Sequence, residues 1–170
     1  MSSRIRGLVV GLVTDLDDPD GLGRIKVEYP WLPEGTESTW ARLSTPLAGP
    51  ELGFFFQPEI GYEALVAFEM EDYRRPIILG FLWNGDNAPP SDDPNVRMIQ
   101  TVSGHKITLD DTSGSETITV EDSSGTNKIV MDQNGITIES TGDITLKGVN
   151  VTLEASSTMT IKGQPIHLNP

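Results

Sequence analysis

Residues 136–146 read Ile136-Thr137-Ile138-Glu139-Ser140-Thr141-Gly142-Asp143-Ile144-Thr145-Leu146, so that two apolar-polar-apolar triplets flank a polar segment. Alternation with a period of two is typical of a β-strand with one buried and one solvated face, and Gly, Asp and Ser favour turns. Eight such triplets occur from residue 107 onward, and their first residues are 11, 11, 7, 8, 7, 8 and 7 positions apart. We therefore predict a series of short strands, in which two longer, hairpin-like repeats precede a shorter and nearly regular one.

Threonine occupies the central position in six of these eight triplets. It suits the solvated face of a strand, whereas the flanking Ile, Leu, Val and Met side chains are expected to point inward. Each triplet has only two apolar side chains, and a single-chain solenoid needs coils of about 20 residues to enclose a core. Three chains that wind around a common axis solve this problem, so we predict an intertwined triple-stranded β-helix in a homotrimer. The predicted trimer core contains Ile107, Leu109, Ile118, Val120, Ile129, Met131, Ile136, Ile138, Ile144, Leu146, Val151, Leu153, Met159 and Ile161.

The first half of the chain contains five short runs that are rich in β-forming residues. In one of them Ile25 and Val27 alternate with Lys26 and Glu28, which predicts one buried and one solvated face. Five strands of this length predict a compact Greek-key β-barrel of the OB type, so that the whole chain is expected to be all-β. The runs are residues 5–14, 24–29, 39–44, 63–69 and 76–83.

A change in composition separates the two halves. All of the aromatic residues lie between Tyr29 and Trp83, and no proline occurs between Pro94 and Pro165. The segment in between is polar and rich in proline, as expected for a link between domains. We predict an OB-fold domain at residues 1–85, a linker at 86–96 and a trimeric β-helix spike with a blunt tip at 97–170.

The composition argues against several functions. A net charge of −13 opposes binding to nucleic acid, because that affinity depends on Lys and Arg side chains that displace counterions. Trp31, Trp40 and residues 54–56 could stack on bases, but acidic surroundings favour roles in packing or in subunit contacts. The acid pairs Asp110-Asp111 and Glu121-Asp122 fit turns better than acid-base or calcium chemistry. With no cysteine and neither a nucleophile-elbow nor a Walker pattern, we expect no catalysis and no cofactor.

Both halves resemble one known family. The first half is similar to the OB domain of tailed-phage baseplate assembly and spike proteins and of their valine-glycine-repeat relatives in type VI secretion. The segment Ser103-Gly104-His105-Lys106-Ile107-Thr108-Leu109-Asp110-Asp111 resembles the motif that opens the β-helix in the same family, so that the resemblance covers essentially the whole chain. The first-half motifs are Asp18-Pro19, Gly23-Arg24-Ile25-Lys26-Val27, Trp40-Ala41-Arg42, Pro46-Leu47-Ala48-Gly49, Gly53-Phe54-Phe55-Phe56-Gln57-Pro58, Gly61-Tyr62-Glu63-Ala64-Leu65-Val66-Ala67-Phe68 and Arg75-Pro76-Ile77-Ile78-Leu79-Gly80.

The resemblance implies a trimeric central spike of a contractile injection system or phage tail. Its OB domains are expected below a baseplate hub protein, and its tip is expected to carry a PAAR-type protein. Effector cargo and, transiently, the target-cell envelope are further expected partners. The chain has no counterpart of the large N-terminal hub region of many type VI relatives, nor of the lysozyme insert of some phage spikes. These departures favour a phage tail, a phage-like bacteriocin or an extracellular injection particle.

The expected location is the baseplate of a virion or injection particle. The apolar stretch at residues 5–13 is too short to span a bilayer and lacks a signal-peptide cleavage pattern. We therefore expect synthesis in the cytoplasm and exit from the cell only as part of the particle.

The C-terminal residues are the predicted binding site for the tip protein. Three copies of this segment are expected to form an apolar platform at the end of the spike. The residues concerned are Ile166, His167, Leu168, Asn169 and Pro170.

The two histidines are the only candidate metal ligands of the usual nitrogen type. Some spikes of this family hold a metal at the tip through inward-pointing histidines. His167, however, stands where six other triplets have threonine, which is the solvated position, and so we expect no metal there. His105 shares the parity of Ile107 and is expected to pack or hydrogen-bond where the β-helix starts.

An alternative function is that of a carbohydrate-binding or polysaccharide-cleaving tail protein, because trimeric β-helices also occur in phage fibres. Sugar grooves usually need aromatic rings, and no aromatic residue follows Trp83. This weighs against the alternative. Binding or depolymerisation of bacterial polysaccharide would support it.

Overall fold

The computed structural model describes residues 5–167 of the chain. The chain divides into two compact units, Met1–Pro90 and Ser91–Pro170. Both are built from β-strands, and the described residues include one short 3-10 turn but no α-helix, so the prediction of an all-β chain is confirmed. Within that part of the chain, no helix is long and apolar enough to cross a membrane.

The first unit is a five-stranded sheet that closes on itself. Its strand order is β2-β1-β6-β7-β3, in which only β3 and β7 run parallel. The free edges of β2 and β3 are joined where Ile25 and Ala41 exchange two backbone hydrogen bonds of 3.0 and 2.8 Å. This closure removes the sheet edges, as in a small barrel. The strands are β1 (Val9–Asp15), β2 (Lys26–Glu28), β3 (Arg42–Leu43), β6 (Glu63–Phe68) and β7 (Pro76–Leu82), and a separate hairpin contains β4 (Ala48–Gly49) and β5 (Leu52–Gly53).

The core of this unit follows from strand alternation. In β6, Ala64, Val66 and Phe68 are buried, whereas the residues between them are half-buried. Ile25 and Val27 are buried in the same cluster, as their alternation with charged residues predicts. The five predicted runs all contain a strand, and the hairpin of β4 and β5 was not predicted.

A charged clamp holds the loop between β1 and β2. The carboxylate of Asp18 accepts hydrogen bonds from the guanidinium of Arg24 and from the backbone N–H groups of Asp20, Leu22 and Arg24. The Arg24 guanidinium, above all, holds the pKa of Asp18 far below its usual range. This network ties Asp18, near the start of the loop, to Arg24 at its end.

The second unit contains one antiparallel sheet in which every strand pairs with its neighbour in sequence. The two longer repeats form hairpins, as predicted, because an 11-residue spacing accommodates a five-residue strand and a turn. Pairing within the chain continues through one further hairpin, between β11 and β12. The strands are β8 (Val96–Gln100), β9 (Lys106–Asp110), β10 (Thr117–Glu121), β11 (Lys128–Asp132) and β12 (Gly135–Glu139).

Beyond β12 the described chain has no regular secondary structure and bends every seven or eight residues. The bends lie at residues 141–142, 149–150, 156–157 and 164–165, which reproduces the spacing of the last triplets. No strand forms within the lone chain over residues 140–167, all of which the structure describes. The triplets at residues 144–146, 151–153 and 159–161 therefore each lie between two bends and pair with no strand of the described residues.

Candidate functional site

One face of the second unit is a continuous apolar surface. Ile107 and Leu109 of β9 lie opposite Val120 and Ile118 of β10, and the same pairing continues into β11 and β12. Because paired residues of an antiparallel sheet project to the same side, the apolar residues form two rows across the strands. We call this surface the apolar face, which consists of Ile99, Ile107, Val120, Ile129 and Ile138 in one row and Leu109, Ile118, Met131 and Ile136 in the other.

Among the described residues of the second unit, none covers the apolar face. Ile107, Leu109, Ile118, Val120 and Ile129 are each 40–43% exposed, whereas the core residues of the first unit are at most 8% exposed. Covering apolar surface is worth roughly 25 cal/mol for each Å² removed from water. A surface of this size on a single sheet is therefore a strong indication of a protein interface.

The opposite face is polar and already covered in part. Thr108 and Thr119 lie opposite each other and are half-buried, although the alternation alone would suggest the most solvated positions. Long charged side chains lie beside them, because Lys106 contacts Glu121 at 3.2 Å and Lys128 contacts Glu139 at 3.1 Å. The polar side of the sheet is thus partly covered by its own long side chains, whereas the apolar side stays exposed.

These charged residues form a row with alternating sign. Lys106, Glu121, Lys128 and Glu139 are successive cross-strand neighbours on β9 to β12. Shifting any strand by two residues would break this alternation, because opposite charges would no longer face each other. The charge row therefore fixes the register that aligns the apolar face.

Asp122 fixes the turn between β10 and β11. Its carboxylate accepts hydrogen bonds from the Ser124 hydroxyl at 2.8 Å and from the Asn127 side-chain amide at 2.8 Å. These bonds, that of Ser124 first, lower the pKa of Asp122 to about 2. The turn between β9 and β10 has a similar feature, in which hydrogen bonds from Thr112 lower the pKa of Asp110.

The two acid pairs of the sequence diverge in the structure. Asp110 and Asp122 each fix a turn, whereas Asp111 pairs with Arg97 at 2.8 Å and Glu121 with Lys106. No pair forms a shared carboxylate site. Among residues 5–167, no group of three His, Asp or Glu side chains could hold a metal ion.

Residues 143–167 have no backbone hydrogen-bond partner within the part of the chain that the structure describes. No hydrogen bond joins two backbone groups among these described residues. Their Ile, Leu, Val and Met side chains are exposed, with Leu146 and Leu153 well above half. Water can satisfy these exposed backbone groups in a lone chain, and the same groups are available to pair with another chain.

The structure brings together the first eight of the predicted trimer-core residues. Ile107, Leu109, Ile118, Val120, Ile129, Met131, Ile136 and Ile138 all lie on the apolar face. Ile144, Leu146, Val151, Leu153, Met159 and Ile161 lie on the extended segment that follows and are exposed. The face also includes Ile99 of β8, which sequence reasoning missed because Arg97 stands where the triplet pattern requires a second apolar residue.

The predicted tip site is described only in part. Ile166 and His167 are exposed, and Leu168, Asn169 and Pro170 lie outside the described residues. His105 is exposed next to β9, at the end of the apolar face near Ile99 and Ile107. Its backbone N–H donates a hydrogen bond of 3.1 Å to the Thr101 hydroxyl.

Two matches to known families agree with this geometry. Residues 9–83 match the type VI secretion system/phage-baseplate injector OB domain, and residues 95–162 match the phage baseplate V C-terminal trimerisation domain. The chain belongs to the baseplate V family of spike proteins. The matched ranges confirm an OB-fold followed by a β-rich trimerisation region, and the apolar face lies within the second range.

Several type VI secretion system spike proteins are similar to this baseplate V chain. VgrG2a of Pseudomonas aeruginosa is 29% identical over 117 residues, which cover 62% of this chain and 14% of the relative. VgrG3 of Vibrio cholerae is 30% identical over 109 residues, or 57% of this chain and 11% of the relative. VgrG1c of P. aeruginosa is 31% identical over 112 residues, which cover 57% of this chain and 15% of the relative.

The chain thus spans a small part of the length of the curated relatives that it matches. Their shared family supports a spike role in a type VI secretion system or phage baseplate, and hence a place within such a particle. The relatives are spike proteins by name, in line with the expectation of a structural role.

Proposed function

We propose that three copies of this chain form the central spike of a contractile injection system or phage tail. The observation that carries the proposal is the uncovered apolar face on the unit that matches a trimerisation domain. Three such faces turned toward a common axis bury one another and leave the threonine faces and the charge row in water. The role is structural, since sheath contraction supplies the work and the spike transmits it.

Pairing between chains extends the trimer to the tip. Each extended segment between two bends of residues 140–167 offers free N–H and C=O groups on both sides. Strands from the other two copies would satisfy these groups and place Ile144, Val151 and Met159 on the axis. The result is a narrow, stiff prism, and stiffness is what a device that pierces an envelope needs.

Partners at both ends complete the proposed machine. The proposed domains are residues 1–85 and 97–170, and a linker at 86–96 joins them. The first domain would bind a hub protein. The far end of the second domain would bind a PAAR-type protein. The proposed tip site consists of Ile166, His167, Leu168, Asn169 and Pro170. Effector cargo would travel with the tip protein, and the envelope of the target cell would be met only during injection.

The proposal is tested by locating the protein in its particle. Tagged protein purified from its native source should bring with it a sheathed tube, and electron microscopy should place the tag at the baseplate end. A tag elsewhere on the particle would contradict the spike role. Deletion of residues 166–170 should abolish binding of the PAAR-type protein while light scattering still shows a trimer, and retained binding would place the tip site elsewhere.

A further inference from the structure

The first unit carries an exposed aromatic patch around the β4–β5 hairpin. Phe54, Phe55 and Phe56 are 53%, 77% and 60% exposed, and the hairpin residues Leu47 and Leu52 are also more than half exposed. Together with Phe81 of β7 they line a groove of about 780 Å³. We call these six residues the aromatic patch. It exceeds the scattered apolar residues that an ordinary protein surface shows.

The patch is held in a fixed shape. The N–H of Phe54 donates a hydrogen bond of 3.0 Å to the Leu47 carbonyl, and the hydroxyl of Thr45 donates one of 2.7 Å to the Phe54 carbonyl. Gly53 has a φ of +144°, and a Cβ at this position would lie 2.3 Å from the Leu47 carbonyl oxygen. The chain therefore uses a glycine to keep three consecutive phenylalanines at the surface, where each is costly to expose.

We propose that the aromatic patch packs against the first unit of a neighbouring copy of this chain. This inference rests on the proposed trimer. Phe81 lines the groove, and Trp83, two residues further along the chain and 70% exposed, follows the end of β7 where the chain leaves for the trimerisation unit. The patch is thus close along the chain to the point at which the three copies are tethered.

The tether makes a contact between copies favourable. The connection from Trp83 to the start of β8 at Val96 has an expected span of about 20 Å if flexible, from about 5–6 Å multiplied by the square root of its length. Such a tether raises the effective concentration of one first unit near another to about the millimolar range. At that concentration even a weak apolar contact is occupied.

Electrostatic repulsion between two copies is expected to be weaker at the aromatic patch than over the rest of the first unit. The chain has a net charge of −13, so that most of its surface repels an identical copy. The groove is lined by two charged side chains, those of Arg42 and Glu51, which have opposite signs. The aromatic patch is therefore a neutral area through which two acidic units can approach.

A photocrosslinker at Phe55 tests this contact in the intact chain. We would introduce the variant Phe55→benzoylphenylalanine, mix copies labelled with light and heavy nitrogen, and irradiate the assembled protein. Crosslinked peptides of mixed isotope composition are expected, with the second peptide from residues 9–83. The matched control is Met70→benzoylphenylalanine, because Met70 is 86% exposed and lies outside the patch. It should give at least about tenfold less crosslinking between copies.

The outcomes separate this inference from the proposed spike. A trimer in light scattering with no enrichment of crosslinks at position 55 overturns the copy-to-copy contact and leaves the spike standing. Crosslinking that appears only after a hub protein is added assigns the patch to that protein and also overturns the inference. A monomer in light scattering removes the trimer, and with it both proposals. A second measurement is hydrogen exchange at residues 47–56, which should be about tenfold faster in Phe55→Ser than in the unaltered trimer.

Discussion

Ile138 of β12 lies directly opposite Ile129 of β11, and the side chain of its neighbour Thr137 projects to the other side of the sheet. Substitutions at Ile138 and Thr137 therefore test which face of the sheet is buried in the assembly. We predict that Ile138→Asp prevents trimer formation, because burying an unpaired carboxylate costs several kcal/mol in each copy. Light scattering should show a monomer at concentrations at which the unaltered chain is a trimer.

Thr137→Asp is the matched control for this substitution. It places the same charge on the same strand but on the polar face, opposite Val130. It should leave the trimer intact. A trimer in both variants would mean that the apolar face is not the interface.

The charge row supports a second prediction. Glu139→Lys places two ammonium groups opposite each other, because residue 139 faces Lys128. Like charges on paired strands are destabilising by roughly 0.2–1 kcal/mol. The unfolding midpoint, which is the denaturant concentration at which half of the protein is unfolded, should therefore be lower for Glu139→Lys than for the unaltered chain. This difference should shrink in 1 M salt, where the screening length is only about 3 Å.

Glu139→Gln separates charge repulsion from loss of the ion pair. The amide removes the contact with Lys128 without adding a positive charge, and an exposed pair of this kind contributes little. Its midpoint should lie between those of the unaltered chain and Glu139→Lys. Equal midpoints for the two variants would show that the row does not fix the register by charge.

Acid should weaken the turn between β10 and β11. The hydrogen bonds of Ser124 and Asn127 lower the pKa of Asp122 to about 2, below the ordinary value of 3.8. A carboxylate with a lowered pKa stabilises the folded state above its ordinary pKa, and this contribution is lost as the pH falls toward the folded value. The window for Asp122 is therefore from about pH 4 down to about pH 2.

Asp122→Asn gives the corresponding measurement. The variant should have a lower melting temperature than the unaltered chain at pH 6, and the difference should nearly vanish by pH 2. Asp92→Asn, a substitution at an exposed residue that precedes the sheet, is the control and should show little difference at either pH. A constant difference for Asp122→Asn across this range would argue against the ionised carboxylate as the stabilising group.

Sequence periodicity predicted most of the second unit, because a period of two fixes which residues share a face. Ile107, Val120 and Ile129 were assigned to one interior on this basis and lie in one row. Ile99 was missed because Arg97, two residues before it, stands where the triplet pattern requires a second apolar residue. Only the pairing of β8 with β9 shows that Ile99 lies opposite Ile107. The position of a residue in a ladder depends on its neighbour strand, which the sequence of β8 alone does not specify.

The first unit shows a different limit. Its five strand runs were predicted from β-forming residues, but the hairpin of β4 and β5 has two residues in each strand, too few for any periodicity. Its shape depends on the backbone of Gly53 and on the hydrogen bond from Phe54 to Leu47. The three consecutive phenylalanines were expected to pack or to contact another subunit, and their exposure became evident only from the three-dimensional arrangement.

Hydrogen exchange over residues 143–167 is the most direct test of pairing between chains. The segment has no backbone hydrogen bond of its own, so that a lone chain can give its amides no protection by a ladder. In the trimer, strands from the other copies would occupy these groups and slow their exchange on the order of 100-fold or more. The Ile138→Asp variant should lose this protection along the whole segment, although the substitution lies outside it. Exchange at the rate of an unfolded peptide in a verified trimer would show that residues 143–167 are not part of the spike, because a strand paired on both sides cannot exchange that fast.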